Sequence, residues 1–316
     1  MSMHSAFREY LDGLNPLVEQ AARDGFVPTP ESARAALVGL SAFVLPSVAD
    51  ARVFDAVVGG ADAVPVRVYV PRPESPSDVI LFVHGGGHRP ETSRSMIPPH
   101  GARRTAAATG MVVVSVDYRR SPEALFPEGL GDVYRALRDL DVVLGNVETT
   151  GKIQAVADSG GAAKVESIAM PVAAGQWSSP IDRQLLLYPS VDYTMGGESL
   201  REFATGYFLS AERVKWYFDN YFPAGADRAA ASPLSGPFAP EMPETLVIAV
   251  EYDPLLTKAV EYVERMRAAG ARAHLVIAPG MLHAFAFSED KVPEAISRLY
   301  ALIAEFLTDG GAPAGW

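Results

Sequence analysis

The chain has 316 residues, 48% of them hydrophobic, and 27 basic residues against 38 acidic ones give a net charge of -11. That length suits one large α/β domain with an accessory layer, and the composition excludes a disordered or fibrous chain. The acidic balance argues against phosphate backbones and anionic lipid as partners, and the absence of cysteine removes disulfides, thiolate metal sites and cysteine nucleophiles together.

The first residues, "MSMHSAFREYLDGLNPLVEQ", lack the basic segment, apolar stretch and small-residue cleavage site of a secretory signal. No apolar run reaches the length of a membrane span, so the expectation is a soluble, cytoplasmic protein. Residues 1 to about 45 read as two helices, the second opened by "TPESARAALVGL" and stopped before Pro46. "ARVFDAVVGG" and "VPVRVYVP" follow with no helix between them, which predicts an antiparallel start to a sheet.

From about residue 78 short apolar runs alternate with helical patterns. "DVILFVH", "GMVVVSVDY", "KIQAVADS", "RQLLLYPS", "ETLVIAVEYD" and "AHLVIAPG" are β-branched and nearly continuous, as strands buried on both faces should be. Leu130, Val133, Leu137, Leu140 and Leu144 keep helical spacing, as do Ile296, Leu299, Ile303 and Phe306. Strand then helix, repeated, predicts an α/β fold: a mostly parallel sheet with helices on both faces. The stretch 198–222 breaks the alternation with a helix capped by Ser210, presenting Val214, Tyr217, Phe218 and Tyr221 on one face. With the N-terminal helices it forms a lid over the strand ends or completes the outer helical layers.

"QAVADSGGAAK" puts Ser159 after a strand and before a helical pattern, the context that holds a serine on a sharp turn with its hydroxyl exposed. Such a serine needs a base, most often a histidine oriented by a carboxylate. His283 in "PGMLHAFAF" and Asp253 in "VEYDPLL" each follow a different strand, in the chain order Ser-Asp-His of α/β-hydrolases. Singly, each also reads as an ordinary loop residue; order and strand ends together favour a triad. "VHGGGHRP" places a glycine triplet after the preceding strand. Its unobstructed amides suit a developing oxyanion, with Gly85 and Gly86 as donors beside the amide of Gly160. Neither a dinucleotide fingerprint nor a phosphate-binding glycine loop is present.

These residues carry a specific resemblance. "HGGG" at 84–87, "VDYRRSPEALFPEGLGDVYRAL" at 116–137, "ADSGG" at 157–161, "LLLYPSVD" at 185–192, "ASPLSG" at 231–236, "EYDPL" at 251–255 and "GMLHAF" at 280–285 resemble the hormone-sensitive-lipase-like, HGGG-motif esterase family of α/β-hydrolases. The resemblance implies a central sheet of about eight strands under a helical cap. It divides the chain into cap residues 1–47, core residues 48–192, an inserted cap segment 193–225 and core residues 226–316. It further implies a serine carboxylesterase acting on small-molecule esters of short to medium acyl chain without cofactor or metal, with Ser159 as nucleophile, His283 as base and Asp253 orienting it, and it allows a homodimer. An amidase or lactonase with the same triad, or a non-catalytic binding relative, remain alternatives. His88, Tyr207, Phe208 and Leu256 are the candidates for the substrate pocket.

The chain departs from family usage at Ala157, Gly160 and Ala162 around the nucleophile, at 256–259, and after the glycine triplet, where His88, Arg89 and Pro90 stand. The methyl of Ala157 is expected to strain the turn and Gly160 to loosen it. The clustering of departures near the inferred site mouth suggests a remodelled substrate pocket. His88, Glu91 and His100 lack regular metal-ligand spacing. Arg89, Arg94, Arg103 and Arg104 read as a solvated loop, Lys164 as an exposed helix residue, and Pro171 as shortening that helix.

Overall fold

The apolar runs become strands because β-branched side chains pack well on a pleated, buried surface. A computed structural model describes residues 2–39, 51–59, 63–72, 75–86, 100–174 and 180–316. In it β1 (Arg52–Val58), β2 (Val64–Val70), β3 (Ser77–Val83), β4 (Val112–Val116), β5 (Thr149–Asp158), β6 (Ile181–Leu187), β7 (Glu244–Tyr252) and β8 (Ala273–Leu282) form one sheet of order β1-β2-β4-β3-β5-β6-β7-β8. The pairings of β2 with β1 and β4 are antiparallel and all others parallel, as the sequence pattern predicts. Every residue of β4, inside the sheet, is buried, whereas β1 at the edge exposes Val53 and Val57.

The helices are α1 (Ser5–Arg23), α2 (Pro30–Gly39), α3 (His100–Thr109), α4 (Glu128–Arg138), α5 (Leu140–Leu144), α6 (Ser159–Ala173), α7 (Glu198–Glu202), α8 (Ala211–Tyr221), α9 (Arg228–Ala231), α10 (Leu256–Ala268) and α11 (Pro293–Asp309). On one face of the sheet Val133 and Leu137 of α4, Val165 and Ile168 of α6, and Val263 and Met266 of α10 pack in one apolar cluster. On the other, Ala102 and Ala106 of α3 join Ile296, Leu299, Ile303 and Phe306 of α11, with Phe7 and Leu11 of α1. Each large side chain so removed from water contributes about 1.5–3 kcal/mol.

A third cluster joins Val214, Phe218 and Tyr221 of α8 to Tyr193, Leu209, Leu255 and Ala163 of α6. Ser210 caps α8 by accepting the Arg213 N–H at 3.1 Å. The N-terminal helix meets the stretch before α8: Asn15 Nδ2 donates to the Gly206 carbonyl at 3.2 Å, and the Tyr10 ring lies 6.4 Å from Phe208.

Four expectations need correction. The periodic run 130–144 is two helices, because the chain leaves helical geometry at Asp139, whose N–H closes on Arg135 while its carboxylate holds Arg138. Pro171 does not shorten α6: burial of Ile168 and Ala169 continues, the helix runs to Ala173, and the Ala174 N–H closes on Met170. Lys164 is not exposed, since the sheet, α4 and α8 enclose α6 and leave it no solvent face; its relative exposure is 1%. The ammonium lies 4.5 Å from the Tyr118 ring centroid and 4.9 Å from that of Tyr221. Arg103 and Arg104 belong to α3 rather than a loop, and Arg104 pairs with Glu289.

Candidate active site

Three strand ends converge. β5 stops at Asp158 and α6 starts at Ser159, which takes a φ of +47°, a conformation that costs a non-glycine residue energy and persists only where the surroundings enforce it. The tightness of the turn explains Gly161, where a Cβ would stand 2.2 Å from the Val83 carbonyl oxygen and 2.4 Å from that of His84. The strain expected at Ala157 falls instead on Ser159. Ala157 stays in strand register opposite Val83 and Leu186, and Gly160 is absorbed into the first helical turn.

His283 follows β8 and Asp253 follows β7, both buried. Ser159 Oγ lies 3.0 Å from His283 Nε2, and His283 Nδ1 lies 2.7 Å from Asp253 Oδ2. The other Asp253 oxygen accepts the Leu255 N–H at 2.9 Å, which fixes the carboxylate plane. With Nδ1–H donated to Asp253, Nε2 is left as an acceptor facing the serine hydroxyl. The Tyr188 ring packs on the imidazole, centroids 4.7 Å apart, from a residue with φ of +36°.

The glycine loop is partly as expected and partly not. Gly85 is not an oxyanion donor here, because its N–H is given to Asp158 Oδ1 at 2.8 Å. It is a glycine for lack of room: a Cβ would lie 2.4 Å from Asp158 Oδ2 and 3.0 Å from the Ser159 Cβ. Gly86, with φ of +112°, turns the chain in a region natural only to glycine. Gly160 lies in the first turn of α6, where N–H groups have no intrahelical acceptor. Burial pushes the Asp158 carboxyl up to about 6, although the Gly85 N–H and nearby His283 favour its charge. Burial, aided by Arg120, pushes His84 down to about 3, so its ring is neutral and Nδ1–H donates to the Gly85 carbonyl at 2.9 Å.

Of the pocket candidates, His88 lies outside the described residues. Tyr207 packs between Phe203 and Tyr252, and Phe208 faces Tyr10. Leu256 packs toward the core cluster that holds α10, and its neighbour Leu255 instead lines a small depression with Met195, Leu200, Val214, Phe218, Asp192 and Lys258. Sequence reasoning missed Asp158, Tyr188 and Leu255. Asp158, adjacent to the nucleophile, was visible in the motif. Among the described residues no cluster of His, Asp and Glu side chains could hold a metal ion, and no helix is long and apolar enough to cross a membrane.

The sheet order and the serine-bearing turn define an α/β hydrolase, and the chain belongs to the α/β hydrolase fold family, whose pattern matches residues 80–287, within the hormone-sensitive-lipase-like esterase branch. It is 30% identical over 257 residues to carboxylesterase NlhH of Mycobacterium tuberculosis, spanning 77% of this chain and 78% of that protein. To ethyl acetate hydrolase of Pseudomonas putida it is 28% identical over 250 residues, 76% of each. The solved structure of a thermostable esterase from Pseudomonas putida superposes with a TM-score of 0.81 at 26% identity over 96% of both chains. A gibberellin receptor of Arabidopsis thaliana is 28% identical over 209 residues, 63% of this chain and 60% of the receptor.

Proposed function

We propose that this protein is a serine carboxylesterase that hydrolyses small esters of short to medium acyl chain through an acyl-enzyme. The observation that carries the reading is the unbroken chain from Ser159 Oγ through His283 to Asp253, at 3.0 and 2.7 Å. Ser159 attacks the ester carbonyl while His283 Nε2 takes its proton, and Asp253 stabilises the imidazolium that results. Negative charge on the carbonyl oxygen meets the amides of Gly86 and Gly160. Each such donor is worth about 3–4 kcal/mol when removed. His283 returns the proton to the leaving alcohol, and water attacks the acyl-enzyme by the reverse path.

The depression beside Leu255 is walled by apolar Met195, Leu200, Val214 and Phe218 together with the charged Asp192 and Lys258. The helices of 1–47 and the segment 193–225 act as its cap, supported by the contact of Asn15 with Gly206 and the packing of α8 on Ala163. The reading keeps the enzyme cytoplasmic and allows a homodimer. The triad alone does not choose between an ester and an amide leaving group, so the substrate comparison is part of the test. The expected outcome is rapid hydrolysis of p-nitrophenyl acetate, little of the matching anilide, and a loss of about a thousandfold or more in Ser159→Ala. Equal rates in wild type and Ser159→Ala would sink the mechanism.

A further inference from the structure

An acyl-transfer site must keep its nucleophile and its oxyanion donors in register, and here they come from different strands. The loop after β3 brings the glycines; the turn after β5 brings Ser159. One peptide unit lies at their junction, the plane that contains the His84 carbonyl and the Gly85 N–H. A peptide unit is rigid and flat, so holding it at both ends fixes its orientation. Both ends are held. The Gly85 N–H donates to Asp158 Oδ1 at 2.8 Å, and the His84 carbonyl accepts the Tyr118 hydroxyl at 2.6 Å. The His84 ring adds a third restraint by stacking on Tyr118 with centroids 4.7 Å apart. Asp158 and Tyr118 are buried, and Gly85 has no Cβ to hold the loop away from the carboxylate.

Resting on the serine esterase reading, we propose that Asp158 and Tyr118 are positioning residues that clamp the 84–85 peptide plane and so set the oxyanion-donating loop against the nucleophile. Asp158 directly precedes Ser159, so one strand end carries both the attacking group and the anchor for the opposing loop. The clamp turns the Gly85 N–H inward, and the positive φ of Gly86 redirects the chain so that the amide used in catalysis follows rather than precedes the anchored one.

The test is steady-state hydrolysis of p-nitrophenyl acetate by Asp158→Ala, Asp158→Asn, Tyr118→Phe and Ser159→Ala, measured together. A misaligned donor weakens transition-state binding more than substrate binding, so Asp158→Ala and Tyr118→Phe should each lower kcat about 10- to 100-fold with KM within about threefold. Asp158→Asn should return to within about threefold of wild type, because its amide oxygen can accept the same N–H. A wild-type kcat in either truncation, a loss confined to KM, or an asparagine variant as slow as the alanine one would overturn the clamp. If Asp158→Ala does not fold, Tyr118→Phe carries the test, since it keeps the ring and removes only the hydroxyl. Full activity in Ser159→Ala would overturn the serine mechanism itself. Lost activity there, beside unimpaired Asp158 and Tyr118 variants, would overturn the clamp alone.

Discussion

Ser159 and Lys164 stand on the same helix a little more than one turn apart, and they show two outcomes of burying polar atoms. Around Ser159 the polar atoms are linked: hydroxyl to imidazole, imidazole to carboxylate, carboxylate to the Leu255 amide. Around Lys164 burial pushes the amine down to about 7, with Arg120 adding to the effect, and the Tyr118 and Tyr221 ring centroids lie 4.5 and 4.9 Å from the ammonium. Two residues further, Glu166 is fully buried; one oxygen accepts from Gln184 Nε2 at 2.8 Å and the other has no hydrogen-bond partner among the described residues. The difference teaches that burial can organise linked polar atoms for chemistry, whereas taking an ionisable group out of water shifts its ionisation and ties stability to pH.

The strongest way to break that comparison is Lys164→Met. In the unfolded chain the amine keeps its ordinary value of 10.5, so between about pH 7 and 10.5 the unfolded state binds more protons and wild-type stability rises with pH. Methionine removes the ionisable group while filling similar volume, so the variant should be more stable at pH 7 by about 2–4 kcal/mol and lose that slope. Urea unfolding at pH 7 and pH 10 decides it, and a variant no more stable than wild type at pH 7 would mean the ammonium is well accommodated.

Glu166→Gln sharpens the same contrast with a smaller effect. Burial holds the Glu166 carboxyl well above its ordinary value of 4.5, so its contribution to stability is full below that value and is lost as pH rises through the raised one. Glutamine is neutral throughout. The variant should match wild type within about 1 kcal/mol at low pH and lose less stability on going to pH 8, as followed by thermal melting across that range. The smallest effect is expected from Tyr188→Phe. The Tyr188 hydroxyl is buried without a hydrogen-bond partner among the described residues, so its removal should leave stability unchanged or raise it by up to about 1 kcal/mol. A loss above that figure in calorimetry would reveal an interaction that phenylalanine cannot make.

The same helix marks how far the sequence could be read. Strand ends, the chain order of Ser159, Asp253 and His283, and the antiparallel first strands were legible because each rests on a local pattern, a run of β-branched residues followed by a turn. The burial of Lys164 is not legible in the sequence because it depends on α8, which packs over α6 from the 193–225 segment, and no local periodicity carries that covering. The role of Gly85 is hidden for a related reason. A glycine triplet says that backbone amides come close to something, but the acceptor of the Gly85 N–H is a side chain 73 positions away. Nothing local marks the break at Asp139, because Leu140 and Leu144 keep the spacing of the helix before them.

Asp253 is oriented by the Leu255 amide, a group present whatever side chain occupies that position, proline excepted. The acid of the triad is therefore insulated from sequence drift on its own loop. Leu256, Thr257, Lys258 and Ala259 depart from the usage that the family resemblance implies, yet they sit beyond that closed two-residue turn and open α10. A side-chain change at any of the four leaves the Leu255 amide in place to hold the carboxylate.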